Sequence, residues 1–174
     1  MSVRVRPIAA GDFDEILRIN SESGPHVADL DHEELRRLVA LASVVWVAES
    51  AMRVVGYLVG MSSSDSYDGE EFRWFLKRFE QPFVYVDQIA VDARARRANV
   101  ASQMYEHLAR WCNSLNINLL CCEVNMRPVN SISMRFHEKF GFKRLDELDT
   151  SDGRRVALLY KHTPRPHQTM EPTL

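Results

Sequence analysis

The feature that most constrains this chain is the run FVYVDQIAV followed by ARARRANVAS, residues 83–102. The first half is β-branched and aromatic, as a buried strand requires, yet it carries one carboxylate, Asp87. After the turn comes an amphipathic segment with Val100, Met104, Leu108, Trp111 and Leu115 on one helical stripe. A strand that turns tightly into a helix leaves the helix N-terminus beside the strand end. Unpaired backbone N–H groups and a partial positive charge there attract a phosphate. The turn has no glycine. Asn99 is the residue that next most readily takes a left-handed conformation, and Ala98, Ala101 and Ser102 are small enough to give clearance. Arg96 and Arg97 can add charge-assisted bonds to phosphate oxygens. The plain alternative is a solvated basic helix start, in which both arginines are ordinary surface charge.

The flanking pattern sets the architecture. Residues 3–7 alternate Val and Arg as a short strand, and Phe13, Ile16, Leu17 and Ile19 then follow at helical spacing up to Gly24 and Pro25. A second helix is predicted across 29–42, with Asp31 as N-cap and Glu34 as its capping-box partner. SVVWVAES and RVVGYLVGMS read as an antiparallel hairpin. Residues 62–82 break the rhythm, a polar and acidic opening leading into an aromatic-rich helix that reads as an insertion over one face. Beyond the central unit, INLLCCEV is a buried-type strand. NSISMRFHEKFGF is a helix with Ile132, Phe136 and Phe140 inward and Gly141 as left-handed cap. FKRLDELD and RRVALLYKH, joined at Ser151 to Gly153, are the last strands. This order argues for an α/β fold around a mixed sheet, not a doubly wound parallel one. It fits one domain over residues 1–162 followed by a flexible, proline-containing tail at 163–174.

A chain of 174 residues is long enough to bury roughly two-thirds of its unfolded surface. The net charge of −2 lacks the basic excess of a nucleic-acid partner. The N-terminus lacks a signal-peptide core, and the longest apolar run, residues 38–48, is too short to cross a bilayer, so no membrane partner and a cytoplasmic setting are expected. Cys112, Cys121 and Cys122 form no CxxC pair and fit core packing. The six histidines form neither HxxxH nor HExxH, so no metal is expected.

Two segments together are more specific. A strand ending IAVDA, then Arg96 to Ala101 and an amphipathic helix, is similar to motif A of the GCN5-related N-acetyltransferase (GNAT) superfamily, with Asn99 at the position of the motif's glycine. About thirty residues on, NSISMRFHEKFGF resembles motif B. The resemblance covers residues 83–161 and implies a mixed, mostly antiparallel central sheet with helices on both faces. It implies acetyl-CoA as cosubstrate and an N-acetyltransferase acting on a primary amine, small or peptide-borne, by direct attack in a ternary complex. Backbone groups of Ile89 and Val91, with Ala90 between them, would pair with the pantetheine arm, one N–H polarising the thioester carbonyl. The turn from Arg96 through Arg97, Ala98, Asn99, Val100 and Ala101 to Ser102 would hold the pyrophosphate, with Asn130 and Phe136 of motif B alongside. Asn130 could equally serve as a helix N-cap.

The tyrosine that often acts as acid in motif B is replaced here by His137, which either donates the proton or is a packed helix histidine beside Ser133. Two carboxylates are candidate bases. Glu123 ends the CCEV strand, and Asp87 should share a face with Tyr85, Ile89 and Val91 by alternation. A carboxylate in an apolar strand must face a cleft, a partner or water, and Arg127 or Arg135 would be the partner in a purely structural role. A water chain is a third route for the proton. The acceptor site should be walled by residues 21–32 and 62–82, which carry Glu22, Asp29, Asp31, Asp65, Asp68, Glu70 and Glu71, with Tyr67, Phe72, Trp74 and Phe75 as an apolar wall or as core. Two other readings stay open: a non-catalytic acyl-CoA sensor and an interaction domain without the coenzyme site. A homodimer is a further open option.

Overall fold

The computed structural model describes residues 3–164. Seven strands form one sheet in the order β1-β2-β3-β4-β5-β7-β6. They are β1 (Arg4–Pro7), β2 (Val44–Ser50), β3 (Arg53–Ser62), β4 (Val84–Val91), β5 (Leu119–Arg127), β6 (Lys143–Asp149) and β7 (Arg155–His162). Every neighbouring pair is antiparallel except β4 and β5. The sheet is therefore mixed and mostly antiparallel. The hairpin of β2 and β3 turns through Ala51 and Met52, both at positive φ, as a tight two-residue hairpin turn requires.

Helices cover both faces. On one lie α1 (Phe13–Ser21), α2 (His32–Leu41) and α3 (Glu70–Arg78), which bury Ile16, Ile19, Leu35, Leu38, Phe72 and Phe75 against Val47, Tyr57, Val59 and Tyr85. On the other lie α4 (Val100–Ser114) and α5 (Ser131–Lys139), with Val100, Met104, Tyr105 and Leu108 packed on Leu58, Val86, Leu120 and Cys122. All three cysteines are buried and unpaired, and burial pushes the Cys112 thiol up to about 12. They are core residues.

Several local expectations need correction. Asp31 does cap α2 by accepting from the Glu34 N–H at 2.8 Å, but the Glu34 carboxylate turns to Arg37 instead of closing the box. Leu115 lies past the end of α4 and is half exposed. Ile132 is 69% exposed, whereas Phe136 and Phe140 do pack inward against Tyr105 and the core, and His137 is the buried residue of α5. Gly141 does sit at φ +95° after α5, the expected left-handed stop. Of the expected tail, Thr163 is tied down by its N–H to the Asn118 carbonyl at 2.9 Å, and residues 165–174 lie outside the described residues.

One irregularity shapes the centre of the sheet. Val59 pairs with Gln88 and Gly60 with Val86, so Asp87 is the extra residue of a β-bulge. The bulge resets the alternation: Tyr85 and Ala90 pack on the α1–α3 side, whereas Ile89 and Val91 pack on the α4–α5 side. The single face expected for Asp87, Ile89 and Val91 does not exist. Strict alternation cannot foresee an inserted residue.

Candidate active site

β4 and β5 pair only from Val84 to Val86 with Leu120 to Cys122, and beyond that point they part. The gap is a cleft of 1280 Å³ through the sheet, lined from both faces. On the β3 side of β4, the Asp92 N–H donates to the Val55 carbonyl at 3.0 Å. In an antiparallel ladder bonded pairs alternate, so the Tyr57–Ala90 pair is bonded while Leu58–Ile89 and Gly56–Val91 are not. The N–H and C=O groups of Ile89 and Val91 therefore point away from β3 and into the cleft, an unpaired edge.

At the end of β4 the carboxylate of Asp92 accepts from the Arg94 N–H at 2.8 Å and from the Arg18 guanidinium at 2.6 Å. Arg94 first, then Arg18, holds this carboxyl well below the usual carboxylate range. Sequence reasoning overlooked this anchor, whose two halves lie 74 residues apart. The chain then takes positive φ at Arg97 (68°) and Asn99 (57°) and enters α4. Asn99 is exposed and left-handed, as a glycine would be, and its side chain makes no cap bond. The backbone N–H groups of Arg97, Asn99, Val100, Ala101 and Ser102 have no acceptor among the described residues. Gly56 lets α4 sit close, since a Cβ there would lie 2.9 Å from the Ala90 carbonyl and 3.3 Å from Val100. Arg96 and Arg97 are exposed and form no ion pair among the described residues. Ala98 is the one turn residue that does not line the cleft; it packs against the core.

The motif-B helix closes this wall. Asn130 caps α5 by accepting from the Ser133 N–H at 3.1 Å, and with Phe136 it lines the cleft. His137 is 3% exposed. Its Nδ1 lies 2.8 Å from the Ser133 carbonyl, so that nitrogen carries the proton, and Nε2 accepts from the Tyr105 hydroxyl at 2.8 Å. Burial pushes its pKa down to about 4. The neutral ring thus has its only N–H already engaged.

The opposite wall is built from carboxyl groups. Asp87 Oδ1 accepts from the Tyr67 hydroxyl at 2.7 Å, and Oε2 of Glu123 is buried with no partner among the described residues. Neither carboxylate pairs with Arg127 or Arg135. Burial raises Asp87 to about 6, offset in part by the Tyr67 bond. Glu123 is pushed well above the usual range, first by burial and then by the like charges of Glu71 and Asp87, while Tyr85 and Arg154 pull it back. Both carboxyls therefore hold a proton more tightly than a surface carboxylate does. Glu71, 7% exposed, is held by Arg154 at 2.9 Å. Most of the acidity expected to face an acceptor is otherwise employed. Asp65 caps the N–H groups of Ser43 and Ser62, Glu70 accepts from Ser151, Glu22 pairs with Arg18, and Asp68 faces Arg37. Phe72 and Phe75 are fully buried core, leaving Tyr67 as the aromatic residue of that segment on the cleft. The loop between α1 and α2 does wall the cleft, from Glu22 to Leu30. It is tied to β3 by Asn20, which donates to the Tyr57 hydroxyl at 2.9 Å and to the Ala28 carbonyl at 2.9 Å, and to β4 by Gln88, which donates to the Ala28 carbonyl at 3.3 Å.

A family model described as the acetyltransferase (GNAT) family matches residues 13–142. The chain belongs to that family. It is an acyltransferase of the GNAT type, with acetyl-CoA as the family's cosubstrate. The fold is shared with Ard1 from Thermoplasma volcanium (TM-score 0.76, 21% identity, 95% of this chain and 100% of that one). It is shared with Naa50 from Arabidopsis thaliana, solved with the bisubstrate analogue CoA-Ac-MVNAL (0.69, 17%, 92% and 99%). NAA60 from Arabidopsis thaliana, solved with acetyl-CoA, is also similar (0.70, 15%, 92% and 99%). No curated protein sequence matches the chain.

The residues present fit the cosubstrate. Five unpartnered N–H groups and two unpaired arginines suit a pyrophosphate, and the open edge of β4 suits an extended amide-bearing arm.

Proposed function

We propose that the chain is an N-acetyltransferase that transfers an acetyl group to a primary amine by direct attack, with both substrates bound in the cleft. The observation that carries this reading is the unpartnered Oε2 of Glu123, buried opposite the unpaired backbone edge of Ile89 and Val91. Acetyl-CoA supplies an activated acyl group on a thiol leaving group. Backbone N–H groups of Arg97 and of Asn99 to Ser102 hold the pyrophosphate, helped by Arg96 and Arg97. Ile89 and Val91 align the arm, and a fixed N–H of this edge meets the negative charge that develops on the carbonyl oxygen.

On the other wall Asp87 holds the incoming ammonium through its second oxygen, and Glu123 takes the proton that makes the nitrogen nucleophilic. The raised pKa of Glu123 makes it a stronger base than a surface glutamate, as this role needs. His137 is a strut: its bonds to Ser133 and Tyr105 fix α5 against α4. The departing thiol, with a pKa about 8.5, leaves as thiolate near neutral pH without a donated proton. A peptide N-terminus is the acceptor class favoured by likeness to Naa50, whose bound analogue joins CoA to the peptide MVNAL.

The test is release of free thiol from acetyl-CoA in the presence of polyamines, amino acids and short peptides. Amine-dependent release in at least one class is expected. Calorimetric binding of acetyl-CoA with no turnover by any amine would instead indicate an acyl-CoA sensor.

A further inference from the structure

Family motifs explain neither Tyr67 nor Gly69, and both belong to the segment that joins β3 to β4. Those strands are antiparallel neighbours, so a short hairpin turn would suffice. Here 21 residues intervene, from Ser63 to Phe83, and they include α3. The segment folds back over the α1–α3 face and brings two polar side chains to the cleft: Glu71, held by Arg154, and Tyr67, whose hydroxyl lies 2.7 Å from Asp87 Oδ1. The Tyr67 ring packs edge-on against Phe72 at 5.6 Å, with the Arg37 guanidinium 5.9 Å above it. It also lies against Gly69: a Cβ at residue 69 would fall 2.4 Å from Tyr67 Cε1 and 2.9 Å from Cζ. Gly69 is the N-cap of α3, where serine, threonine or aspartate would close the helix better. Its φ of −53° is open to any residue, so conformational freedom does not explain it. Room for the tyrosine does.

We propose that Tyr67 is a positioning residue for acyl transfer, acting through Asp87, and that Gly69 exists to seat it. The inference rests on the amine acyltransferase reading. By donating to one oxygen of Asp87, Tyr67 fixes the carboxyl plane and turns the other oxygen to the acceptor ammonium. It also keeps this half-buried group ionised to lower pH than it would otherwise be. The other charges that bear on Asp87 are Glu71 from α3, Glu34 and Arg37 from α2, and Glu123 from β5. The phenols of Tyr57 and Tyr85 also feel its charge. None of these occupies the Oδ1 position that Tyr67 holds.

The experiment is the pH profile of kcat/KM for the best amine, compared among wild type, Tyr67→Phe, Gly69→Ala and the double variant. Removing the hydroxyl raises the pKa of Asp87. The acidic limb of the Tyr67→Phe profile therefore moves up by about one pH unit. KM for the amine rises severalfold below neutrality, while KM for acetyl-CoA is unchanged. Gly69→Ala keeps every functional group yet displaces the ring, so it reproduces both effects. Added to Tyr67→Phe, it shifts the limb no further. A purely structural tyrosine would lower the melting temperature without moving the limb. An unmoved limb in Tyr67→Phe, or a wild-type profile in Gly69→Ala, overturns the inference while leaving acyl transfer intact. No amine-dependent thiol release by wild type at any pH overturns both.

Discussion

The two walls of the cleft do their work with different parts of the chain. The turn from Arg96 to Ser102 presents backbone N–H groups at an exposed helix start, and its arginines are free of internal partners among the described residues. The opposite wall presents side chains, the half-buried Asp87 and Glu123 and the buried Glu71, each with an environment assembled from separate elements. A backbone site tolerates changes of side chain as long as the conformation survives. A side-chain site does not. In the proposed anion site Asn99 can therefore stand in for a glycine, because it is exposed and left-handed at φ 57°.

Substitutions should separate the walls. Glu123→Gln is expected to give the largest effect, a fall in kcat of about 10²-fold or more from loss of the base, with acetyl-CoA binding by calorimetry retained. Asn99→Val puts a β-branched residue into a left-handed position at a cost of about 1–2 kcal/mol. KM for acetyl-CoA should rise roughly tenfold while amine selectivity stays constant, and Asn99→Gly should remain close to wild type. Arg96→Ala should raise the same KM about threefold, an effect that shrinks with added salt because the side chain is exposed. His137→Gln should leave kcat within about twofold for the folded protein. Its signature is in stability. The folded pKa of His137 is about 4, against about 6.5 when unfolded. The unfolded chain therefore binds the extra proton first, and wild type loses stability as pH falls from about 6.5 towards 4. Thermal melts across this range should slope less steeply in the variant. An equal slope, or a large loss of kcat, would return His137 to the reaction.

The same contrast governs what could be read from residue order. Most of the wall proposed for the coenzyme is contiguous in sequence: strand, turn and helix lie within residues 83–114, with only α5 added from further on, and their spacing placed Asn99, Val100 and Ser102 at a helix start. The sheet and its helices were equally legible, because periods of 2 and 3.6 are written into apolar positions. The wall proposed for the acceptor was legible only in part. Asp87 and Glu123 stood out as carboxylates in apolar strands, but the bulge that sends Ile89 to the other face left no mark in the pattern. Arg154, reaching Glu71 across 83 residues, and Tyr67, reaching Asp87 across 20, are long-range meetings that local reasoning cannot supply. Of the acidic residues counted along residues 21–32 and 62–82, Glu22, Asp29 and Glu71 line the cleft. Asp31, Asp65 and Glu70 serve as caps and turn acceptors, which is the commonest employment of such side chains near helix starts and turns.

The division of labour between the walls is tested most directly by a crystal structure of the chain with CoA. The expected result is a pyrophosphate on the N–H groups of Asn99 to Ser102 and an arm alongside Ile89 and Val91, its thiol end directed at Glu123. A coenzyme bound elsewhere, or one whose phosphates rest on side chains while those N–H groups stay unbonded, would contradict it.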